Sequence, residues 1–256
     1  MRQILITNDD GIHAAGLLAL REALLPFGRV VVVAPDREMS ASSHSITLHK
    51  PLHMRKIDED IWSSDGTPTD CMLLAVHGIM KERPDIVFAG INSGPNMGND
   101  VSYSGTVAAA LEGAIIGIPS VAISVAAWEN CRFDYAAQFA TKLAALTLEK
   151  QIPPRTVLNV NVPNVPGNEI RGVKITKLGR RVYRDTIVER TDPRGKAYYW
   201  IGGENPIWEE EDDSDFTVVK SNMVSITPLK LDLTDYKNMH ELEDWKAGLW
   251  QSVKKL

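Results

Sequence analysis

The stretch Ile4-Leu5-Ile6-Thr7-Asn8-Asp9-Asp10-Gly11 decides how the rest of this sequence is interpreted. Its apolar beginning is typical of a buried strand in a parallel sheet, and the stretch then ends on two aspartates and a glycine. Ligands bind at the carboxyl ends of strands in open α/β sheets. Two carboxylates placed there repel each other unless a cation or a proton lies between them. We therefore expect a metal site at Asp9 and Asp10, although Asn-Asp-Asp-Gly is also good turn chemistry.

The composition is that of an ordinary globular protein. The chain has 256 residues, of which 44% are hydrophobic and 24% are charged, so it can form one large domain or a domain with an appendage. The net charge of -5 argues against a broad basic surface, and we expect no binding to nucleic-acid polymers. Two cysteines in apolar surroundings, Cys71 and Cys131, favour packed thiols in a reducing compartment over a disulfide scaffold or a zinc cluster.

The sequence predicts neither a membrane span nor a secretory signal. Its longest apolar region, 107–128, contains Glu112 and is interrupted by Gly117 and Pro119, whereas a span needs roughly 20 apolar residues. The apolar run near the N-terminus, 4–6, is followed at once by polar and acidic residues, unlike a signal peptide. Together with the two thiols, these features predict a cytoplasmic protein that does not associate with membranes.

Apolar runs alternate with amphipathic stretches along residues 1–171. This alternation predicts βαβ units, and hence a three-layer αβα Rossmann-like core around a mostly parallel sheet. The predicted strands after the first are 29–34, 61–64, 85–90, 120–125 and 156–162, with an edge hairpin within 46–57. The predicted helices are 13–27, 67–80 with Thr67 as its N-cap, 105–116 and 133–149.

Residues 172–256 are the second predicted part, which is smaller and richer in β-structure. Its predicted elements are strands at 181–190 and 196–201, a strand pattern within 215–227 and a closing helix at 242–253. The turn Asp192-Pro193-Arg194-Gly195 is typical of a long hairpin. Such a hairpin is either an arm that pairs with another subunit or a plain surface excursion. The acidic run 209–215 is more typical of a solvated loop than of a site.

Three loops, 8–11, 37–45 and 92–100, each follow the carboxyl end of a predicted strand and should meet at one edge of the sheet. They offer carboxylate, hydroxyl and amide oxygens without cysteine or paired histidines, which suits Mg²⁺, Mn²⁺ or Ca²⁺ better than zinc. The third loop leads into Ser104-Gly105-Thr106 at a predicted helix start, where free N–H groups make an anion site. A metal beside an anion pocket indicates phosphate-ester hydrolysis, in which the ion polarises the phosphoryl oxygen and activates water.

Other functions fit the same residues less well. Residues 8–16 lack the Gly-x-Gly-x-x-Gly pattern of dinucleotide-binding proteins, and the chain has neither a P-loop nor a Gly-x-Ser-x-Gly elbow. His13 and His44 are candidate general acids or phosphate donors, and each could equally be an ordinary helix-start or loop residue. Asn96 could contact a substrate or simply form a turn. A metal-dependent deacylase and a nonenzymatic nucleotide-binding module remain alternatives to the phosphatase.

Four motifs, in the same order, resemble the SurE family, the survival proteins and 5′/3′-nucleotidases of bacteria and archaea. The motifs are Ile6-Thr7-Asn8-Asp9-Asp10-Gly11-Ile12, Ala34-Pro35-Asp36-Arg37 with the serine loop to Thr47, Gly90-Ile91-Asn92-Ser93-Gly94-Pro95-Asn96-Met97-Gly98, and Tyr103-Ser104-Gly105-Thr106-Val107. The resemblance covers essentially the whole chain, including Ile226-Thr227-Pro228-Leu229 near its end. Two positions depart from the usual pattern: Ala15 replaces a proline, and Ala41 replaces the glycine that follows a ligand serine.

The resemblance implies a divalent-metal phosphatase that acts on nucleoside 5′- and 3′-monophosphates, with some members also trimming short polyphosphate. It implies one Mg²⁺ or Mn²⁺ per subunit, and homodimers or homotetramers with exchanged C-terminal elements. Carried over by motif, the site residues are Asp9, Asp10, Ser40 and Asn92 for the metal, Asn96, Ser104, Gly105 and Thr106 for the phosphate, and Asp9, Asp10 and Asn96 for catalysis.

Overall fold

The computed structural model describes residues 1–150, 152–182, 185–203 and 207–253. In these ranges the strands are β1 (Gln3–Thr7), β2 (Arg29–Pro35), β3 (Met54–Asp58), β4 (Ile61–Ser64), β5 (Ile86–Ser93), β6 (Ser120–Ala126), β7 (Thr156–Pro163), β8 (Gly172–Ile175), β9 (Arg181–Val182), β10 (Asp185–Thr191), β11 (Ala197–Gly203), β12 (Ile207–Trp208) and β13 (Met223–Lys230). The α-helices are α1 (Ala15–Leu24), α2 (Pro68–Leu74), α3 (Gly105–Ile115), α4 (Phe133–Lys150), α5 (Asp215–Lys220) and α6 (Met239–Val253).

Nine strands of the described ranges form one central sheet in the order β3-β4-β2-β1-β5-β6-β7-β13-β8. The neighbours from β4 to β7 are all parallel. Strand β3 is antiparallel to β4, β13 is antiparallel to β7, and β8 is parallel to β13. The predicted mostly parallel sheet is therefore confirmed. Because β1, β2, β5 and β6 run in one direction, the loops that follow them lie along the same edge.

Helices cover both faces of this sheet and complete the predicted three layers. The side chains of β1 alternate, so that Ile4 and Ile6 belong to the core under α1 and α4, whereas Leu5 belongs to the core under α2 and α3. The strand is buried on both faces, which is why its sequence is an unbroken apolar run rather than an alternating one. Within the described residues, no helix is long and apolar enough to span a bilayer.

The predicted start of the second helix is confirmed in atomic detail. Thr67 is its N-cap, and its side chain accepts a hydrogen bond from the N–H of Asp70 at 3.1 Å. The carboxylate of Asp70 in turn accepts from the N–H of Thr67 at 2.9 Å, which completes a capping box. Pro68 lies in the first turn, where a missing N–H costs nothing.

The predicted first helix and edge hairpin were misplaced by a few residues. Helix α1 begins at Ala15 rather than at residue 13, because the N–H of Ile12 is held by the carbonyl of Pro35 at 2.8 Å. The edge hairpin consists of β3 and β4 rather than lying within 46–57. Main-chain N–H groups in 46–53 donate to the carboxylates of α2 and its preceding loop instead of to a strand.

The prediction of a strand pattern within 215–227 was wrong for its first half. Residues 215–220 form helix α5, and the strand begins only at Met223. The helix begins here because Ser214 is its N-cap, with its side chain accepting from the N–H of Thr217. The long hairpin is confirmed, since β10 and β11 are antiparallel partners. Their pairing begins beside the turn, where Thr191 pairs with Ala197.

The second predicted part contributes to the main sheet as well as to the hairpin. Strand β13 pairs with β7, and β8 lies outside β13. The two predicted parts, 1–171 and 172–256, thus share one sheet. Their division into a catalytic core and an oligomerisation part stays a prediction. Four residues of the acidic run 209–215 form exposed ion pairs with nearby lysines and an arginine, whereas its last residue, Asp215, is buried.

Asp215, at the start of α5, joins the C-terminal part to the loop that follows β5. Its buried carboxylate accepts from the N–H of Gly98 at 2.8 Å, of Gly179 at 2.9 Å and of Phe216 at 2.8 Å. Burial raises the pKa of this carboxyl, and the three N–H donors act in the opposite direction. The loop is closely fitted here, because a Cβ added to Gly98 would lie 2.7 Å from the ring of Trp208.

We expect Asp215→Ala to lower the free energy of unfolding by about 2–4 kcal/mol, because it leaves buried N–H groups without an acceptor. Urea denaturation followed by circular dichroism measures this loss. The matched control is Glu210→Ala, which removes an exposed carboxylate paired with Lys220 and should change stability little. Equal losses in the two variants would show that the Asp215 clamp is not a stabilising element.

Candidate functional site

The loop after β1 is closed by its own asparagine. The side-chain amide of Asn8 donates to the carbonyl of Gly11 at 3.0 Å, and the N–H of Gly11 donates to the amide oxygen of Asn8 at 3.2 Å. Gly11 has a φ of 101°, a conformation that favours glycine. This two-way contact fixes the turn and thereby sets the positions of Asp9 and Asp10 at the edge of the sheet.

The carboxylate of Asp9 lies against the N-terminus of α3. It is 5% exposed and accepts a short hydrogen bond from the hydroxyl of Thr106. Burial raises the pKa of Asp9, while this hydroxyl and the N–H groups of Thr106 and Gly105 lower it. A Cβ added to Gly105 would lie 2.9 Å from a carboxylate oxygen of Asp9, so only glycine allows this approach. The predicted anion site at the helix start is thus faced by a carboxylate of the chain itself.

Asp10 lies beside the loop that follows β5. The N–H of Ser93 donates to its carboxylate at 3.0 Å. Burial raises the pKa of Asp10 to about 6, and the negative charges of Asp9 and Glu38 act in the same direction. Within the described residues, no lysine or arginine forms an ion pair with either aspartate. The site therefore has a deficit of positive charge that only a proton or a cation can remove.

The neutral groups around the two carboxylates are oxygens. The amide oxygen of Asn92 lies 3.4 Å from the hydroxyl of Thr106, which links it to Asp9. The hydroxyl oxygen of Ser42 is buried and has no hydrogen-bond partner in the described chain. A Cβ on Gly105 would lie 2.6 Å from this hydroxyl and 2.9 Å from Asp9 Oδ2, so Ser42 and Asp9 meet at the same glycine. This donor set fits a hard cation and includes an unused buried oxygen.

Ser40, the predicted serine ligand, is exposed, and its hydroxyl donates to Glu38 at 2.7 Å. The structure therefore does not bring Ser40 into the contacts that join Asp9, Thr106 and Asn92. Ala41, where the family usually has glycine, has a φ of 56°. The backbone thus keeps the left-handed conformation that a glycine would adopt easily. The pattern of four nearby serines could not indicate that Ser42 is the one that approaches Asp9.

Asn96 is held by buried polar side chains of two neighbouring strands. Its N–H donates to Asn161 at 2.8 Å, its side-chain amide donates to Ser124 at 2.8 Å, and its carbonyl accepts from Asn159 at 2.8 Å and from Asn161 at 2.9 Å. Sequence reasoning missed these partners. The signal was available, because Asn-x-Asn interrupts an otherwise apolar strand, and buried amides require hydrogen-bond partners.

The remaining predicted residues are engaged in local contacts. Ser104 is the N-cap of α3, with its hydroxyl accepting from the N–H of Val107 at 3.1 Å. His44 contacts the buried carboxylate of Glu112 at 2.9 Å, which ties the serine loop to α3. His13 is exposed at the turn before α1. Among the described residues, no group of three or more histidine, cysteine or acidic side chains could hold a metal, so neutral oxygens must complete any metal shell.

Fold and site together define a class of protein: three-layer α/β proteins with a carboxylate-centred site at the carboxyl ends of parallel strands. The sequence model of the survival protein SurE family matches residues 4–185. The chain belongs to the SurE family.

Two curated relatives and one solved structure are similar over nearly the whole chain. The 5′-nucleotidase SurE of Geotalea daltonii is 51% identical over 95% of this chain and 99% of its own. That of Geobacter sulfurreducens is 49% identical over 94% of this chain and 93% of its own. The crystal structure of the SurE protein from Aquifex aeolicus superposes with a TM-score of 0.87, at 46% identity, covering 95% of this chain and 99% of that one. The predicted family and fold are therefore confirmed.

We expect Thr106→Val to destabilise the fold by about 1–3 kcal/mol, because the buried carboxylate of Asp9 loses a hydroxyl donor while the packing volume is kept. Thr106→Ser, which keeps the hydroxyl, should retain most of the stability. Thermal or urea unfolding of the metal-free protein measures both. If the serine variant were as unstable as the valine variant, the packing of the methyl group, and not the hydrogen bond, would be what matters.

Proposed function

We propose that this chain is a divalent-metal-dependent nucleotidase that hydrolyses nucleoside 5′- and 3′-monophosphates to nucleoside and phosphate, with short polyphosphate as a further substrate. The observation that carries the proposal is the adjacent pair of carboxylates, Asp9 buried against the start of α3 and Asp10 half-buried beside Ser93, with no lysine or arginine of the described residues paired to either. The name 5′-nucleotidase SurE, borne by relatives about half identical to this chain, supports the same activity.

The proposed metal site takes its ligands from three loops. Asp9 and Asp10 supply the negative charge, Asn92 supplies an amide oxygen, and a serine hydroxyl completes the set. Ser40 remains the proposed serine, and its hydroxyl must leave Glu38 to take part; Ser42 is the hydroxyl already beside Asp9. One Mg²⁺ or Mn²⁺ per subunit suits oxygen ligands of this kind. When bound, the ion supplies positive charge to the phosphoryl group and lowers the pKa of water.

The proposed phosphate contacts come from Asn96 and the turn Ser104-Gly105-Thr106. In this turn the Ser104 hydroxyl caps the helix and the Thr106 hydroxyl donates to Asp9. The N–H groups of Gly105 and Thr106 also face Asp9, so the turn would attract a phosphate mainly through the positive end of the α3 dipole. Asn96 would contact the phosphate from a fixed position, because three side chains of β6 and β7 hold it in one orientation. Asp9, Asp10 and Asn96 are the proposed catalytic set.

We expect phosphate release from nucleoside monophosphates in Mg²⁺ or Mn²⁺ and none in EDTA. Asp10→Asn should lower kcat/KM by more than about a hundredfold, because it removes a proposed ligand rather than a residue that only supports one. The matched control is Asp36→Asn, an exposed carboxylate that follows β2 at the same edge and pairs with Arg37. Asp10→Asn with normal activity and normal fold would refute the proposal. Activity on p-nitrophenyl acetate but not on p-nitrophenyl phosphate would favour a deacylase instead.

We also propose that the chain forms homodimers or homotetramers through its C-terminal elements. Leu242, Trp245 and Leu249 are all more than half exposed and lie at helical spacing on one face of α6. The β10–β11 hairpin carries further exposed apolar side chains, among them Trp200 and Ile201, the latter 85% exposed. Exposed apolar side chains concentrated on two protruding elements are typical of subunit contacts.

We expect analytical ultracentrifugation to show a dimer or tetramer that Leu242→Glu/Leu249→Glu shifts towards monomer, because charges would be buried in the subunit contact. The control is Asp244→Lys, at an exposed position about 130° around α6 from the face formed by Leu242, Trp245 and Leu249. An unchanged oligomer in the double variant would exclude α6 from the contact.

The proposed location is the cytoplasm. It is supported by the two cysteines, since Cys71 and Cys131 are both free thiols in the structure, as expected in a reducing compartment. The substrate partner proposed is a nucleoside monophosphate, with neither nucleic-acid polymers nor membranes as partners.

A further inference from the structure

Trp128 is an exposed aromatic residue at the edge of the sheet that carries the site. It follows β6, two residues after its last residue, Ala126. Its side chain is 75% exposed although tryptophan usually buries most of its surface. Neither the proposed metal site nor the proposed phosphate contacts use it.

The indole of Trp128 lies directly on the loop that carries Asn92 and Asn96. A Cβ added to Gly94 would lie 2.4 Å from Cζ3 and 2.7 Å from Cε3 of Trp128. The carbonyl of Gly94 accepts from the Asn92 side chain at 2.8 Å. The preceding residue, Ser93, donates its N–H to Asp10 at 3.0 Å. Gly94 thus links Trp128 to Asn92, a proposed metal ligand, and the neighbouring Ser93 extends this link to Asp10, a proposed catalytic carboxylate.

The segment that carries Trp128 is held in place on both sides. The N–H of Ala127 donates to Val125 at 2.8 Å. Beyond the tryptophan, Asn164 donates to the carbonyl of Asn130 at 3.2 Å and accepts from the N–H of Arg132 at 2.8 Å. An aromatic ring presented on a fixed backbone loses little conformational entropy when a ligand stacks on it.

We infer that Trp128 is the stacking platform for the nucleobase of the substrate, with the phosphate at Asp9, Asp10 and the start of α3. This inference rests on the proposed nucleotidase activity and names the part of the substrate that lies outside the phosphate site. Stacking on an aromatic face tolerates every base, because each base has a π-face. The platform would therefore separate nucleotides from simple sugar phosphates without selecting among bases.

The test compares adenosine 5′-monophosphate with ribose 5-phosphate, which has the phosphate ester but no base. We expect Trp128→Ala to raise KM for the nucleotide by roughly five- to a hundredfold, with kcat and the KM for ribose 5-phosphate little changed. Trp128→Phe should restore most of the affinity. Leu146→Ala is the control, because it truncates another exposed apolar side chain, near the far end of α4.

Two results would overturn the inference: an unchanged KM for the nucleotide in Trp128→Ala, or an equal loss for both substrates, which would indicate a purely structural role. Equilibrium dialysis of adenosine 5′-monophosphate, with the same variants and with metal present, applies where the nucleotide is not hydrolysed and separates this inference from the proposed function. If the wild-type protein releases phosphate from neither compound, the proposed function fails. The inference then stands or falls on whether Trp128→Ala weakens the dialysis Kd, and absence of nucleotide binding overturns it.

Discussion

The site depends on two carboxylates that are adjacent in sequence, withdrawn from water and unpaired with any lysine or arginine of the described chain. Burial raises the pKa of Asp9 and of Asp10, so ionising either carboxyl group costs free energy at this position. The fold offsets part of this cost with neutral donors, namely the Thr106 hydroxyl and the N–H of Ser93. Hydrogen bonds of this kind orient the carboxylates without neutralising them, which leaves the pair suited to a divalent cation.

A second requirement is that the loop after β5 keeps one shape, since it carries two proposed site residues, Asn92 and Asn96, on either side of Gly94. The loop has little apolar side chain to bury, and it is instead fixed by buried polar contacts from outside. Asn159 and Asn161 hold it from β7, and Asp215 holds it from α5. Because these buried side chains bond to the main chain of the loop, the loop can be rigid while remaining at the edge of the sheet. Rigidity of this origin is sensitive to the loss of single polar atoms.

The sequence predicted those features that arise from local patterns. The apolar run of β1 and the Thr67 N-cap depend on neighbours in the chain, and both are confirmed. Features that depend on distant partners were missed. The start of α1 is delayed by a bond to Pro35, and the unused hydroxyl of Ser42 is recognisable only once Gly105 is placed beside it. The site residues are predicted from their positions in loops and from the family motifs, and their roles stay predictions.

The contact between Asp215 and Gly98 also has a consequence for protein synthesis. The two residues are separated by 117 positions, so the loop containing Asn96 lacks this bond until residue 215 has left the ribosome. The N-terminal strands and helices, which are linked by short connections, can assemble earlier, since domains fold progressively during translation. A nascent chain would thus display a nearly complete sheet with an unfinished loop. Translational pausing before β13 would extend the lifetime of that intermediate.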